Sequence, residues 1–151
     1  MDGEHFDAEV HFVHLNEKKD KYLVVGLIFD TTGAYNEATE LFMEDFDWEH
    51  ASDYIPTTSW VDQLLRYLPD KTFYHYEGSL TTPPCTEAVS WFVMREHQYI
   101  SPDDLQAMKD FMGRETNRDV KDLNGRDVVM GGSFVQSLTA FVMMVLGMTM
   151  F

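Results

Sequence analysis

The sequence predicts a mostly β fold of the α+β class. Apolar, β-branched and aromatic runs recur at residues 8–15, 22–29, 72–78 and 86–94, which is the composition of strands. Helical spacing of apolar residues is confined to 36–48 and 101–113. The first two runs are joined by EKKDK, a short charged linker, which predicts an antiparallel pair.

Residues 8–15, AEVHFVHL, read as the first strand. Residues 22–29, YLVVGLIF, are apolar on both faces and belong deep in a sheet. In the acidic stretch 36–48, Ala38, Leu41, Phe42 and Phe46 fall at i, i+3, i+4 and i+8, the pattern of a surface helix. Residues 49–70 are mixed and hold Pro56 and Pro69. TFYHYEG at 72–78 reads as a strand running into a turn, and TEAVSWFVM at 86–94 as another strand. Helix 101–113 is signposted at both ends. Ser101 stands at the N-cap, Pro102 at N1, Asp103 and Asp104 in the first turn, and Gly113 at the end. Leu105, Met108 and Met112 give it an apolar face. A polar loop, NRDVKDLNGRDVV, leads to a last short extended piece.

With 151 residues, 44% hydrophobic and 14% aromatic, the chain can bury one domain-sized core. The net charge of −15, from 26 acidic and 11 basic residues, excludes a nucleic-acid phosphate partner. Cys85 is the one cysteine. That is ordinary in a cytosolic protein and an odd thiol in a secreted one. Residues 1–9 are charged and hold no signal-peptide core. There is no Asn-x-Ser/Thr sequon.

Two stretches bear on chemistry. In EVHFVHLN, 9–16, strand alternation puts Glu9, His11 and Val13 on one face and Val10, Phe12 and His14 on the other. His11 and His14 therefore cannot reach one metal from a regular strand. Glu9 beside His11 has the form of a metal-ligating imidazole with the carboxylate that orients it. A buried His bonded to a buried Glu has the same form. In YEGSLTTPPCTEAVSWFVM, 76–94, two consecutive prolines remove two backbone donors and predict a fixed, extended path. Thr81 and Thr82 would then be held rigidly with their hydroxyls at defined points. An ordinary rigid loop would have the same sequence. On the next strand Glu87, Val89, Trp91 and Val93 share a face, and Val89 and Trp91 can make an apolar wall.

The segment GSLTTPPCTEAVSW closely resembles the signature of the α-class carbonic anhydrases, and AEVHFVHLN resembles their strand bearing the third zinc histidine. YLVVGLIF, LPDKTFYHYEGSL, ISPDDLQAM and NGRDVV fit the same order, so the resemblance covers about residues 2–129. It implies a large, mainly antiparallel, twisted central sheet with peripheral short helices, here a partial domain over 1–130. It implies Zn2+ as cofactor, CO2 and bicarbonate as partners, and a lyase activity, the reversible hydration of CO2. His11 would be a zinc ligand and Glu9 its hydrogen-bond partner. His14 would be the buried, non-ligating histidine of the same strand. Thr81 would orient a zinc-bound hydroxide, and Thr82 would line the site. Val13, Val24, Leu80, Val89 and Trp91 would form the CO2 pocket. Cys85 matches a half-cystine of extracellular members. The family's other two zinc histidines lie on a preceding strand, and this sequence enters the pattern after it. The acidic partner of the threonine should likewise precede Met1. The resemblance is thus to the C-terminal half of such an enzyme, with activity expected to be impaired. A non-catalytic binding module of the same family, displayed at a membrane, is the alternative. No motif places His5, His50, His75 or His97 at the metal.

Residues 131–151 form a separate hydrophobic tail, with 134–151 free of charge. As a helix those eighteen residues would span about 27 Å, close to the thickness of a bilayer's hydrocarbon core. Gly131-Gly132-Ser133 reads as a hinge. The expectation is a membrane anchor, by helix or lipid attachment, on a protein at the cell surface or outside it. A buried terminal helix or strand is the competing reading.

Overall fold

The structure, a computed structural model, describes residues 3–35, 39–40, 42–43, 68, 70–114, 116–132 and the backbone of 147–150. Among these, seven strands form one mixed sheet. They are β1 (Ala8–Leu15), β2 (Tyr22–Asp30), β3 (Phe73–Gly78), β4 (Val89–Met94), β5 (Gln98–Tyr99), β6 (Val129–Gly131) and β7 (Gly147–Met150). The order across the sheet is β6-β3-β4-β2-β1-β7, with β5 continuing alongside β2. The β1–β2, β1–β7, β3–β4 and β3–β6 pairs are antiparallel, while β2 runs parallel to β4 and β5. The predicted β1–β2 pair forms over its full length, from Ala8↔Phe29 to Leu15↔Tyr22. As its two-faced apolar run requires, β2 lies inside the sheet between β1 and β4.

The sheet buries both faces, each in its own cluster. On one face Val10 and Phe12 of β1, Leu27 and Phe29 of β2, and Met94 of β4 pack with Leu105 and Met108 of helix α1 (Pro102–Met112). The helix ends are those the sequence marks. Ser101 and Asp104 make a reciprocal capping box, and Gly113 takes the left-handed conformation, φ 63°, with its N–H donating to the Lys109 carbonyl. Of the predicted helix 36–48, only 39–40 and 42–43 fall among the described residues; they are helical, and Phe42 joins this core. The other face carries the smaller cluster Val13, Val24, Val89 and Trp91.

Four sequence expectations change. Strand β4 begins at Val89 rather than 86: the Thr86 carbonyl is spent on loop closure, accepting from Leu80 N–H, and the pairing with β2 starts only at the Ala88 carbonyl, which accepts from Tyr22 N–H. The Thr-Pro-Pro path is not extended. It turns, with a cis Pro83–Pro84 bond and Cys85 N–H donating to the Thr82 carbonyl at 2.9 Å. Of the expected Gly131-Gly132-Ser133 hinge, Gly131 is the last residue of β6, opposite Phe73, whose ring occupies the space a Cβ there would need, and Ser133 lies outside the described residues. In the tail, 134–146 and 151 lie outside the described residues, and Gly147–Met150 form a strand on the edge of β1, the competing strand reading rather than a helix over these four residues. No helix among the described residues is long and apolar enough to cross a membrane.

His14 lies on the main-core side, across from Leu23, and its Nδ1 donates to the Leu23 carbonyl at 3.2 Å. Burial holds its pKa below the ordinary histidine value of 6.5. The unfolded chain therefore binds more protons at mildly acid pH. This contribution to stability is complete above 6.5 and is lost as pH falls through the lower folded-state pKa. The melting temperature should drop between pH 7.5 and 5. His14→Gln should make that drop shallower, as read by circular dichroism melts across the range.

Candidate functional site

The second face of the sheet gathers a polar pair against an apolar wall. Period-two alternation aims Glu9, His11 and Val13 of β1 to this side. The antiparallel register sets His11 opposite Gly26 and Val13 opposite Val24. The parallel register then sets Val24 beside Trp91 and Gly26 beside Val93. His11 is buried, 3% exposed, and its Nε2 lies 3.2 Å from Glu9 Oε1, whose side chain is 13% exposed. An ionised carboxylate only accepts, so Nε2 carries the proton and Nδ1 is left as the ring's lone-pair nitrogen. The Trp91 indole closes the imidazole's flank edge-on, with ring centroids 4.7 Å apart.

The five residues expected in the pocket come together. Val13, Val24, Val89 and Trp91 form the buried cluster, and Leu80 packs on it. Val93, which alternation puts on the face of Val89 and Trp91, also packs there, as do Leu15, Tyr22 and Tyr76, which sequence reasoning had not placed. Tyr76 faces Trp91 across the β3–β4 pair and stacks on it, centroids 6.2 Å apart. Burial, with the Glu9 carboxylate adding to it, pushes the Tyr76 phenol up to about 12, so it stays neutral. The strand register is the signal for Tyr76: once Trp91 is placed, its antiparallel partner follows.

Thr81 is half-buried and Thr82 exposed. They sit in a loop whose ends are tied by Leu80 N–H to the Thr86 carbonyl at 3.0 Å. Trp91 Nε1 donates to the Ser79 carbonyl at 3.1 Å, which joins this loop to the wall. A further tie comes from the segment after α1. Arg118 Nη1 donates to Ser79 Oγ at 2.9 Å and to the Leu80 carbonyl at 3.2 Å. Nothing in the sequence pattern marks Arg118, which is one cation in a polar stretch.

Zinc in a catalytic site takes three protein ligands. Among the described residues no group of three His, Cys, Asp or Glu side chains could hold a metal ion. His11 is a fitting single donor, but the described residues do not assemble a complete zinc set. His75 is no second ligand. Its register partner, Phe92, packs against the main core, so His75 points away from the His11 side; its Nδ1 bonds the Trp91 carbonyl at 2.9 Å. His14 is on that opposite side too. Cys85 is a free, half-buried thiol.

The mixed sheet thus carries a buried carboxylate–imidazole pair beside an apolar wall. The eukaryotic-type carbonic anhydrase family matches residues 1–131, and the chain belongs to that family. The chain is 32% identical over 130 residues to a carbonic anhydrase of Neisseria gonorrhoeae, covering 84% of this chain and 49% of that protein. It is 33% identical over 127 residues to the carbonic anhydrase of Klebsiella pneumoniae, covering 84% and 50%. Among solved structures, the α-carbonic anhydrase of Thermovibrio ammonificans superposes with a TM-score of 0.66 at 34% identity, covering 83% of this chain and 54% of that one. The chain thus spans about half the length of the curated relatives it matches.

Arg118 is a checkable part of this geometry. A hydrogen bond from a charged donor contributes about 1.5–3 kcal/mol, enough to protect a loop at least tenfold. Arg118→Ala should make the Leu80 and Cys85 amides exchange about tenfold faster in hydrogen–deuterium exchange, with β1 and β2 unaffected.

Proposed function

We propose that this chain supplies part of a carbonic anhydrase site that interconverts CO2 and bicarbonate. The observation that carries the reading is the Glu9–His11 pair, 3.2 Å apart, on the same side of the sheet as Val13, Val24, Val89, Trp91 and Leu80. In the family, zinc held by three imidazoles provides a hydroxide near neutral pH. This chain's residues take the following parts. His11 offers Nδ1 as one ligand. Glu9 holds the ring's other nitrogen and fixes its tautomer and direction. The apolar wall keeps water from the place where a small apolar substrate rests. Thr81 presents a hydroxyl that orients the attacking oxygen, and Thr82 lines the entrance. The Arg118 and Trp91 bonds to Ser79 and Leu80 hold the threonine loop against that wall.

One imidazole does not hold zinc tightly. The full chain should retain less than one equivalent after dialysis against a mild chelator, as read by metal analysis. Stoichiometric, chelator-resistant zinc would show that a second and third donor come from elsewhere in the chain.

Catalytic roles can be read in a chimera. In the gonococcal relative the matched half is replaced by residues 1–131 of this chain, and zinc content reports an assembled site. His11→Ala in the chimera should lose both zinc and CO2 hydration. Thr81→Ala should keep zinc and lower turnover by on the order of 10²-fold, the contribution of one positioned catalytic group. Unchanged turnover in Thr81→Ala would refute the role given to that hydroxyl.

A further inference from the structure

Gly26 interrupts a strand that is otherwise bulky: Val24, Val25, Leu27, Ile28 and Phe29 surround it, all buried. Its φ is not in the left-handed region, so its backbone conformation does not call for glycine. A glycine inside a strand weakens packing and marks a place where another group comes close. The group here is identified. Gly26 stands directly opposite His11 in the β1–β2 register. A Cβ built on it would collide with Glu9 Oε1, the same oxygen that meets His11 Nε2. Its other neighbours would be ordinary contacts, Glu9 Cδ and Val93 Cγ2, each at 3.5 Å.

We propose that Gly26 is a positioning residue for His11: the space left by its missing side chain is where the Glu9 carboxylate lies to reach Nε2. Glu9 and His11 share a face of one strand, two residues apart. For the carboxylate to meet the imidazole it folds across the neighbouring strand at the level of His11, and any side chain on Gly26 fills that place. Trp91 already stands against the ring edge-on. The imidazole is thereby held between an indole and a carboxylate, with Nδ1 as its lone-pair nitrogen. The consequence for metal binding rests on the proposed ligand role of His11; the steric relation among Gly26, Glu9 and His11 does not.

The test separates the two. Imidazole 15N shifts of His11 are recorded at pH 8 in the full chain, metal-free, for the parent, Gly26→Ala, Glu9→Ala and the double variant. Thermal stability is measured on the same four proteins. The parent should show one tautomer, protonated at Nε2. Gly26→Ala should show a mixed tautomer population and a lower melting temperature. In the Glu9→Ala background, Gly26→Ala should change neither, because the carboxylate it displaces is gone. If Gly26→Ala does not fold while the double variant does, the same coupling is shown. An unchanged His11 tautomer in Gly26→Ala overturns the proposal, as does an equal loss of stability in both backgrounds or failure of both variants to fold. Zinc affinity is then titrated on the chimera. Equal affinity with and without Gly26→Ala, alongside an altered tautomer, would refute the metal consequence and leave the positioning role standing.

Discussion

The eight-residue register between β1 and β2 is the constraint on which the rest of the structure depends. Both faces of β1 are buried: Val10 and Phe12 on one side, His11 and Val13 on the other, with Glu9 nearly so. A slip of one residue would carry every side chain to the wrong face. It would put an imidazole and a carboxylate into the apolar core with α1, and two large apolar side chains into the site. Burying a bare carboxylate costs several kcal/mol, and burying one large apolar side chain contributes about 1.5–3 kcal/mol. Both terms oppose the slip. The register that satisfies them sets His11 opposite Gly26 and Val13 opposite Val24, and the β2–β4 pairing extends the same alignment to Trp91. The site is a consequence of how the sheet avoids misplacing charge.

Much of this was legible from spacing alone. Alternation separated His11 from His14, and the structure puts the two on opposite sides of the sheet. The Ser101–Asp104 and Gly113 caps of α1 were legible because each residue there has a local hydrogen-bonding or conformational reason. Of the five apolar residues that gather beside His11, alternation placed Val13 on its face and read Val89 and Trp91 as a wall, while Val24 and Leu80 were named through resemblance alone. Tyr76 needed the β3–β4 register, which is a long-range fact. Glycine has no pattern of its own, and nothing in the sequence singled out Gly26; its place becomes informative only with its cross-strand partner. Arg118 acts across about forty residues of sequence on two acceptors of one loop, and no periodicity marks such a tie.

The loop at 79–86 shows where local reasoning failed. Two prolines do remove two donors, as expected. The expectation of an extended path left out the backbone hydrogen bonds that close this loop on itself. The chain turns between Thr82 and Cys85, and Thr86 folds back to accept from Leu80 N–H. The threonines are still held, by closure of the loop rather than by stiffness of the chain. That distinction matters for function. A stiff segment carries its own geometry, whereas a closed loop inherits geometry from what closes it: the backbone of Thr86, the Trp91 indole and the Arg118 guanidinium.

Zinc affinity in a three-imidazole site is a property of the set. One imidazole binds a hydrated zinc ion weakly, and each further donor already held in place adds its bond without a new loss of translational freedom. Metal binding is thereby coupled to whatever brings the donors together. Under the proposed function the described residues would contribute one donor, His11, which is buried, held at one nitrogen by Glu9, and flanked by Trp91. Fixing the ring lowers the entropy lost when the metal binds, but it does not replace missing ligands. If two further imidazoles come from another segment, zinc becomes the bond that ties that segment to β1, and association and metal loading are one equilibrium. The chain's part in that equilibrium would then be set by how His11 is held, between the Glu9 carboxylate and the Trp91 indole, over the space that Gly26 leaves open.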